Sequence, residues 1–462
     1  MQNGREEVFV GNLRAWLEKR PPAQVITGYY LLAVTVSILL FSIPAVHKSG
    51  VDMSFSDTVF MAISIVSDTG LTVINVAETY SVFGYFVIMI ILQFAGIGIM
   101  AVSTFFWLVL RRRIGLRERQ LIMVDNNQFL LSGLVRLVRD ILKIIVVVEL
   151  VGGVILGFHF LRYFPDWQEA FLQGLFASVC ATTNAGMDIT GESLAPFAGD
   201  YFAQLIIIIQ IVIGAIGFPV LIEIKAYLAG KKTERGYPFR FSLFTKFTTV
   251  TYGVLLLLGT LAILILEANH SFQGMAWHER LFYALFQSTT TRSAGLTTMD
   301  IGDFSRPTLL VLSVFMFIGG SPNSMGGGIR TTTFALSVLF IYNYTKGNRY
   351  IKAFNREIYK DDVTRSLAFT LIAIAMCMLS ILLIKVSDKQ LDLIAIIFEV
   401  CSSFGTVGLS LGITPDLSLF AKCILMILMF IGRIGLTSFL LIVGGGDKKT
   451  KFDYPKEKMI IG

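Results

Sequence analysis

The stretch Thr291-Arg292-Ser293-Ala294-Gly295-Leu296-Thr297 closes a short apolar segment that opens with Trp277-His278-Glu279. This segment is too short to cross a bilayer, because a spanning helix needs roughly 20 apolar residues. The glycine at its end has no Cβ atom, so the backbone there can adopt a positive φ and approach another backbone closely. The pattern predicts a re-entrant segment, a short helix that enters the membrane and turns at Gly295.

The same plan occurs four times along the chain. Each copy has an acidic residue near the start of a short apolar helix and a glycine at its end, followed by Leu or Met. The acids are Asp57, Glu169, Glu279 and Asp392, and the glycines are Gly70, Gly186, Gly295 and Gly408. A single glycine of this kind would be a plain turn former, but four at nearly constant spacing indicate an internal repeat.

Composition sets the class of protein. Hydrophobic residues make up 54% of the 462 residues and charged residues 15%, and the mean hydropathy is +0.70. This excludes soluble, disordered, collagen-like and disulfide-stapled proteins and leaves an all-α membrane protein. Eight spans are predicted, the sixth broken in its middle, at 25–46, 84–110, 141–161, 201–222, 247–266, 307–345, 366–384 and 418–443. We therefore predict four pseudo-symmetric helix–pore helix–helix repeats around a central pore.

The predicted repeats and their orientation follow from these spans and from charge. The repeats are 25–110, 111–228, 229–345 and 346–443, with flanking segments at 1–24 and 444–462. Of the 39 lysines and arginines, 29 lie in the terminal segments and in the longer connections on the same side. Because positive charge stays on the cytoplasmic side, both termini are predicted to be cytoplasmic, in a multi-pass protein. The acidic outer side could attract cations, or its acids could merely solvate the outer loops.

The four glycine loops indicate a cation site. If they meet at one axis, each short helix points its C-terminal end, with a partial charge of about −0.5, at that axis. Backbone carbonyls in the loops can replace the hydration shell of a cation. The candidate residues are Ser67, Asp68, Thr69, Gly70, Thr183, Asn184, Ala185, Gly186, Arg292, Ser293, Ala294, Gly295, Gly405, Thr406, Val407 and Gly408. The hydroxyls of Thr69, Thr183 and Thr406 are further candidate ligands.

A glycine-rich break divides the stretch 307–345. It reads Gly319-Gly320-Ser321-Pro322-Asn323-Ser324-Met325-Gly326-Gly327-Gly328 and cannot continue a helix. Non-helical backbone at membrane depth has to lie inside protein or beside a wet cavity. The interpretation that we favour is a gate across the permeation path, and the alternative is a packing kink. Neither this run nor Gly444-Gly445-Gly446-Asp447-Lys448-Lys449-Thr450 has the spacing of a phosphate-binding loop, so no nucleotide site is predicted on this chain.

Arg433 lies within the last predicted span, where an unpaired guanidinium is costly. We expect it to line the inner cavity, to hold the loop 319–328 and to oppose cation passage when that loop is closed. The alternative is an internal salt bridge with Glu149 or Glu399. Arg292 is expected to brace its loop from behind, against Glu399, rather than to touch the ion.

These motifs resemble the ion-translocating subunit of the Trk/Ktr/HKT potassium-transporter superfamily, most closely the KtrB type. The resemblance rests on the four glycine loops, on Thr291–Gly295 and on Phe430-Ile431-Gly432-Arg433-Ile434-Gly435. It implies a K⁺ filter at Gly70, Gly186, Gly295 and Gly408, and a gating loop at the position of 319–328. In that family a serine in the first loop favours Na⁺, so Gly70 implies a preference for K⁺. The first loop departs from the usual Val-Thr-Gly-Leu at Asp68, which could tune affinity or pack behind the loop.

The resemblance also implies partners and a location. These are a homodimer in the lipid bilayer of the bacterial plasma membrane and a cytosolic, KtrA-like ring of nucleotide-binding subunits. Coupling to Na⁺, or activation by it, stays open at this point, and no nucleic acid is expected. An alternating-access symporter is the alternative function, but the four copies share one orientation, which disfavours inverted repeats. An enzyme is disfavoured because no cluster of intramembrane His, Asp or Glu appears in the sequence.

Overall fold

The computed structural model of the chain describes residues 22–97, 134–230, 239–348, 350–436, 439–440 and 457. Most of the predicted flanking segments 1–24 and 444–462 lie outside the described residues. So do residues 98–110 and 441–443, which end two of the predicted spans. Within the described residues the chain is helical, apart from loops and one short antiparallel hairpin of β1 (Lys352–Ala353) and β2 (Arg356–Glu357).

Fifteen α-helices lie in the described residues. They are α1 (Pro22–Phe41), α2 (Phe55–Val66), α3 (Val76–Thr79), α4 (Val82–Ile97), α5 (Leu134–Phe160), α6 (Trp167–Thr183), α7 (Tyr201–Ala215), α8 (Phe218–Leu228), α9 (Leu243–Leu266), α10 (Trp277–Thr290), α11 (Arg306–Phe317), α12 (Thr331–Thr345), α13 (Lys360–Ser387), α14 (Leu393–Gly405) and α15 (Leu419–Ile434).

Four of these helices are long and apolar enough to span a bilayer, and a bent pair adds a fifth candidate. The four are α1, α5, α9 and α13, and they match the predicted spans at 25–46, 141–161, 247–266 and 366–384. Within the described residues the other apolar helices are shorter or interrupted, and the predicted spans 84–110 and 418–443 end in residues that are not described. The break within 307–345 is confirmed, since α11 ends at Phe317 and α12 begins at Thr331.

The predicted uninterrupted span at 201–222 is wrong, because the chain bends by 108° between α7 and α8. Gly217 lies at the bend with φ +101°, and a proline follows within the first turn of α8. The bend exposes backbone groups that a straight helix would have paired. The loop Gly319–Gly328, which we call the intramembrane loop, satisfies them: Phe218 N–H donates to Asn323 O at 2.7 Å, and Ser321 N–H donates to Ala215 O at 3.0 Å. The bend and the loop therefore stabilise each other.

The four short helices α2, α6, α10 and α14 begin as their acidic residues predict. Asp57, Glu169 and Glu279 lie in the first turns of α2, α6 and α10, where a negative charge opposes the helix dipole favourably. Asp392 is the N-cap residue of α14. The Glu279 carboxylate also accepts from the Ala276 N–H at 3.0 Å, which satisfies one unpaired donor at the start of α10.

At four places along the chain, the end of a long apolar helix is tied to the start of the helix that follows the next short helix. Glu267, just after α9, accepts from the Ser305 hydroxyl at 2.7 Å, and Asp388, just after α13, accepts from the Ser418 hydroxyl at 2.7 Å. Near the end of α5, His159 pairs with Asp200 before α7. After α1, the Ser81 hydroxyl, just before α4, donates to the Ala45 carbonyl at 2.7 Å. The chemistry differs among the four ties while the position is the same.

Glycines allow the helices α5 and α6 to pack with their backbones nearly in contact. A Cβ atom placed on Gly174 would lie 2.8 Å from Gly157 Cα, and one placed on Gly153 would lie 3.1 Å from the Leu175 side chain. Small residues commonly have this function between helices in membranes, where close van der Waals packing drives association.

Candidate functional site

The four glycine loops are glycine loop 1 (Ser67–Gly70), loop 2 (Thr183–Gly186), loop 3 (Arg292–Gly295) and loop 4 (Gly405–Gly408), and they meet in a closed ring. A Cβ atom placed on Gly70 would lie 2.8 Å from Gly186 Cα, and one on Gly186 would lie 3.0 Å from Gly295 Cα. A Cβ atom on Gly295 would lie 3.2 Å from Gly408 Cα, and one on Gly408 would lie 3.3 Å from Gly70 Cα. Each glycine therefore touches the next copy, and no side chain fits at these positions.

The backbone of the four glycine loops repeats as well as their sequence. All four glycines have positive φ, from +63° at Gly186 to +95° at Gly408. The residue two positions earlier is left-handed in every copy although none is a glycine: Asp68 (φ +51°), Asn184 (φ +56°), Ser293 (φ +83°) and Thr406 (φ +47°). Such residues are strained and persist only where their surroundings hold them. We call these four residues the left-handed set.

Most of the sixteen candidate residues are buried, and the exceptions are two of the glycines. Gly186 and Gly408 keep partial solvent exposure, while the others are buried. The threonine hydroxyls suggested as extra ligands bond to protein groups: Thr69 to the Ser67 hydroxyl at 2.6 Å, Thr183 to the Val179 carbonyl at 2.8 Å. The backbone carbonyls of the loops are therefore the oxygen atoms that remain most suited to an ion.

The intramembrane loop, Gly319–Gly328, packs directly against glycine loops 3 and 4. Gly327 N–H donates to the Ser293 hydroxyl at 3.2 Å, and a Cβ atom placed on Gly328 would lie 3.1 Å from Gly405 Cα. A Cβ atom placed on Gly326 would lie 3.0 Å from Ser293 Cβ. The glycines of this loop thus permit its close approach to the ring, as well as breaking the helix.

Arg433 connects the ring, the intramembrane loop and α4. Its guanidinium lies 2.7 Å from the Asp68 carboxylate, which is fully buried. It also donates to the carbonyl oxygens of Met325 and Ala95. The expected contact with the loop 319–328 is thus present. A salt bridge is present too, but its partner is Asp68 and not Glu149 or Glu399.

Residues 9–444 match the family described as TrkH, cation transport protein. The chain belongs to this family. The Ktr system potassium uptake protein D of Bacillus subtilis is 52% identical over 441 residues, which cover 96% of this chain and 97% of that protein. The potassium/sodium uptake protein NtpJ of Enterococcus hirae is 31% identical over 447 residues, which cover 96% and 97%.

A solved structure shares the fold. The crystal structure of the potassium transporter TrkH from Vibrio parahaemolyticus covers 92% of this chain and 86% of its own, with a TM-score of 0.71 and 18% sequence identity. The fold is therefore the helical membrane-protein fold of that transporter. The relatives are named as transport proteins, so this TrkH-family chain is not an enzyme.

In this TrkH-family chain Arg292 does not pair with Glu399, which corrects the expectation from sequence. Its guanidinium lies 5.3 Å from the ring centroid of Tyr252 and 5.6 Å from that of Phe315, and it is fully buried. Aromatic faces attract a cation through their quadrupole, and the attraction grows when water is excluded. Arg292 is thus braced from behind, as expected, but by two aromatic rings.

The two glutamates considered as partners have other neighbours. Glu149 accepts from the amide of Gln93, and Glu399 accepts from the hydroxyl of Ser410. Glu149 on α5 is thus bonded to a residue of α4, and Glu399 on α14 is bonded to a residue just after that helix, so neither carboxylate pairs with Arg433.

Sequence reasoning missed two features of the site. Arg330 donates to the carbonyl oxygens of Gly326 and Ser321, the latter at 3.4 Å, and so holds both ends of the intramembrane loop. The signal that could have identified Arg330 was a positive charge two residues after a glycine run at membrane depth. The second feature is the bend before Phe218, whose N–H donates to the Asn323 carbonyl. The sequence Gly217-Phe218-Pro219 could have indicated this bend.

Proposed function

We propose that this TrkH-family chain takes up K⁺ through a filter of backbone carbonyls formed by the four glycine loops. The observation that carries the proposal is the closed ring of Gly70, Gly186, Gly295 and Gly408, in which each glycine touches the next. Carbonyl oxygens at such a centre can replace the water of a permeating cation without covalent chemistry. The names of the relatives support K⁺ as the ion.

The fourfold repeat belongs to the same proposal, with copies at 25–110, 111–228, 229–345 and 346–443. It is supported by the shared pattern of positive φ values at each glycine and at the residue two positions earlier. It is also supported by the ties between spanning helices, such as Glu267 to Ser305 and Asp388 to Ser418. Four short helices with acids at their N-terminal ends then direct the negative poles of their dipoles at the ion.

The gate of the proposed transporter is the intramembrane loop together with Arg433. The loop lies against glycine loops 3 and 4, and the guanidinium holds it through the Met325 carbonyl. A positive charge at this depth opposes a cation that leaves the filter. Displacement of the loop, with Arg433, would open the path.

Control and location complete the proposal. The chain would act as a homodimer in the bacterial plasma membrane, with both termini cytoplasmic, on a cytosolic KtrA-like ring that binds nucleotide. The names of two relatives as Ktr system proteins support a separate regulatory component. The name of NtpJ as a potassium/sodium uptake protein supports a test for Na⁺ as a coupling or activating ion.

The experiment is K⁺-limited growth of a bacterium that lacks its own K⁺ uptake, with the wild-type chain or Gly70→Asp. Wild type should restore growth and Gly70→Asp should not, since its side chain would enter the backbone of glycine loop 2. Gly50→Asp is the matched control, because Gly50 has a similar φ of +86° but open surroundings. Rescue by both Gly70 forms, or by neither, counts against the proposal. Uptake that stops without a co-transported solute or ion other than Na⁺ would favour the symporter alternative.

A further inference from the structure

The left-handed set occupies one position in all four repeats, directly behind the ring of glycines. Its members, Asp68, Asn184, Ser293 and Thr406, are all polar and all fully buried. Left-handed backbone is unfavourable for Ser and Thr, and less so for Asn and Asp. A polar side chain in a strained and buried position needs a hydrogen-bonding partner. The partners of all four residues belong to the intramembrane loop or contact it.

Ser293 and Thr406 reach the intramembrane loop directly. The Ser293 hydroxyl donates to the Thr406 carbonyl at 2.7 Å and accepts from the Gly327 N–H at 3.2 Å. The Thr406 side chain packs on the same residue, since a Cβ atom placed on Gly327 would lie 2.7 Å from its methyl carbon. One hydroxyl group therefore joins glycine loop 4 to the intramembrane loop.

Asp68 reaches the loop through one side chain. Its carboxylate lies 2.7 Å from the Arg433 guanidinium, and that guanidinium donates to the Met325 carbonyl. Gly96 leaves the space for this arrangement, because a Cβ atom there would lie 3.3 Å from Met325 Sδ and 3.5 Å from Asp68 Oδ2.

Asn184 reaches the loop through the end of α7. With its amide oriented to suit both neighbours, it donates to the Ala181 carbonyl at 3.1 Å and accepts from the Ala215 N–H at 3.2 Å. The carbonyl of the same Ala215 accepts from the Ser321 N–H at 3.0 Å. All four members of the set thus contact the intramembrane loop directly or through one intervening residue.

We propose that the left-handed set couples the filter to the gate, so that movement of the intramembrane loop changes how the filter holds its ion. Its members are positioning residues, which act through the backbone of the glycine loops and not by touching the ion. A gate that merely blocked the path would change the rate of uptake alone. A coupled gate also changes the apparent affinity for the ion. This inference rests on the proposed function.

The test is Rb⁺ uptake by cells that lack their own K⁺ uptake, with KM and maximal rate measured separately. Ser293→Gly removes the hydroxyl while it relaxes the left-handed backbone, so strain is not added. Its KM should rise roughly two- to tenfold, the range expected for one lost hydrogen bond. Ser288→Ala is the matched control, because that buried hydroxyl bonds to Leu256 O on α9 and not to the loop. Its KM should stay at the wild-type value.

A second variant shows whether the effect passes through the loop. Arg330→Gln loosens the loop from its other side, at Gly326 and Ser321. If the set acts through the loop, KM of the Ser293→Gly, Arg330→Gln double variant should be no higher than that of the more affected single variant. Effects on KM that multiply, or a KM of Ser293→Gly equal to that of wild type, would overturn the coupling.

A replacement variant and a second outcome complete the test. If Ser293→Gly does not reach the membrane, Asp68→Asn replaces it, with the same expected non-additivity against Arg330→Gln. If the wild-type chain takes up no Rb⁺, the proposed function fails, and that result is distinct from a functional chain whose filter and loop respond independently.

Discussion

Arg433 and Asp68, 365 positions apart in the chain, form a buried ion pair with 2.7 Å between the guanidinium and the carboxylate. The guanidinium also bonds to the Met325 and Ala95 carbonyls, so one side chain joins four separate segments. A buried charge needs such partners, because the loss of its hydration is expensive. The pair holds the guanidinium of Arg433 beside glycine loop 1.

Arg433→Ala should therefore increase K⁺ flux or abolish its regulation. The change releases the intramembrane loop at Met325 and removes the positive charge that opposes a leaving cation. Rb⁺ uptake with and without the cytosolic subunit is the measurement. Arg365→Ala, at an exposed arginine of α13, should behave as wild type. Deletion within Ser321–Gly328 should likewise increase K⁺ flux or abolish its regulation. Wild-type flux and regulation in Arg433→Ala would exclude a role of this residue in the gate.

Gly408→Ala should abolish uptake, whereas Gly412→Ala should preserve it. Both glycines are left-handed, with φ +95° and +81°, so alanine costs about 1–2 kcal/mol of backbone strain at either. A Cβ atom at Gly408 would also overlap the Thr69 carbonyl, while the space around Gly412 is open. Rb⁺ uptake and the amount of protein in the membrane should be measured for both. Equal uptake by the two variants would show that the ring of glycine contacts is not needed.

Gly174→Ala should lower the unfolding free energy by about 1–3 kcal/mol, because it overpacks the interface between α5 and α6. The added methyl group would lie 2.8 Å from Gly157 Cα. Gly253→Ala, in α9 with nothing within 4 Å, should instead be neutral or stabilise the helix by up to about 1 kcal/mol. Thermal unfolding of the purified protein in detergent separates the two. An unchanged midpoint for Gly174→Ala would mean that the two helices are not closely packed.

Stability should fall in acid as Glu267 becomes protonated. Burial alone would raise the pKa of this carboxyl, but hydrogen bonds from Thr308, Ser305 and Ser271 lower it to about 2. A carboxyl with a lowered pKa in the folded state stabilises the protein above its ordinary pKa, and this contribution is lost as the pH falls from about 4.3 toward 2.

Glu267→Gln tests this account of acid sensitivity. It should cost about 1.5–3 kcal/mol at neutral pH, since it removes charged hydrogen bonds, and the difference from wild type should shrink below pH 4. The exposed Glu192→Gln is the control and should change stability by less than about 0.5 kcal/mol. The measurement is the thermal midpoint of both variants and of wild type from neutral pH down to acid pH. A constant difference between Glu267→Gln and wild type would exclude the carboxylate as the cause.

The sequence alone determined the class of protein, the four glycine loops and the break at 319–328. These features depend on local properties: the length of apolar runs, the missing Cβ of glycine and the ring of proline. The periodic spacing of Gly70, Gly186, Gly295 and Gly408 added a long-range signal, because a repeat places equivalent residues at equivalent sites. None of these inferences required knowledge of which segments pack against each other.

Only the tertiary structure decided which side chains meet. The sequence suggested Glu149 or Glu399 as a salt-bridge partner for Arg433, whereas the partner in the structure is Asp68. The choice depends on distances between helices remote in sequence. Arg292 lies between two aromatic rings for the same reason. The bend between α7 and α8 is favoured by Gly217, but it forms because Asn323 and Ser321 supply the hydrogen bonds that a bent helix lacks. Local sequence sets what a segment can do, and the free energy of its contacts with distant segments sets what it does.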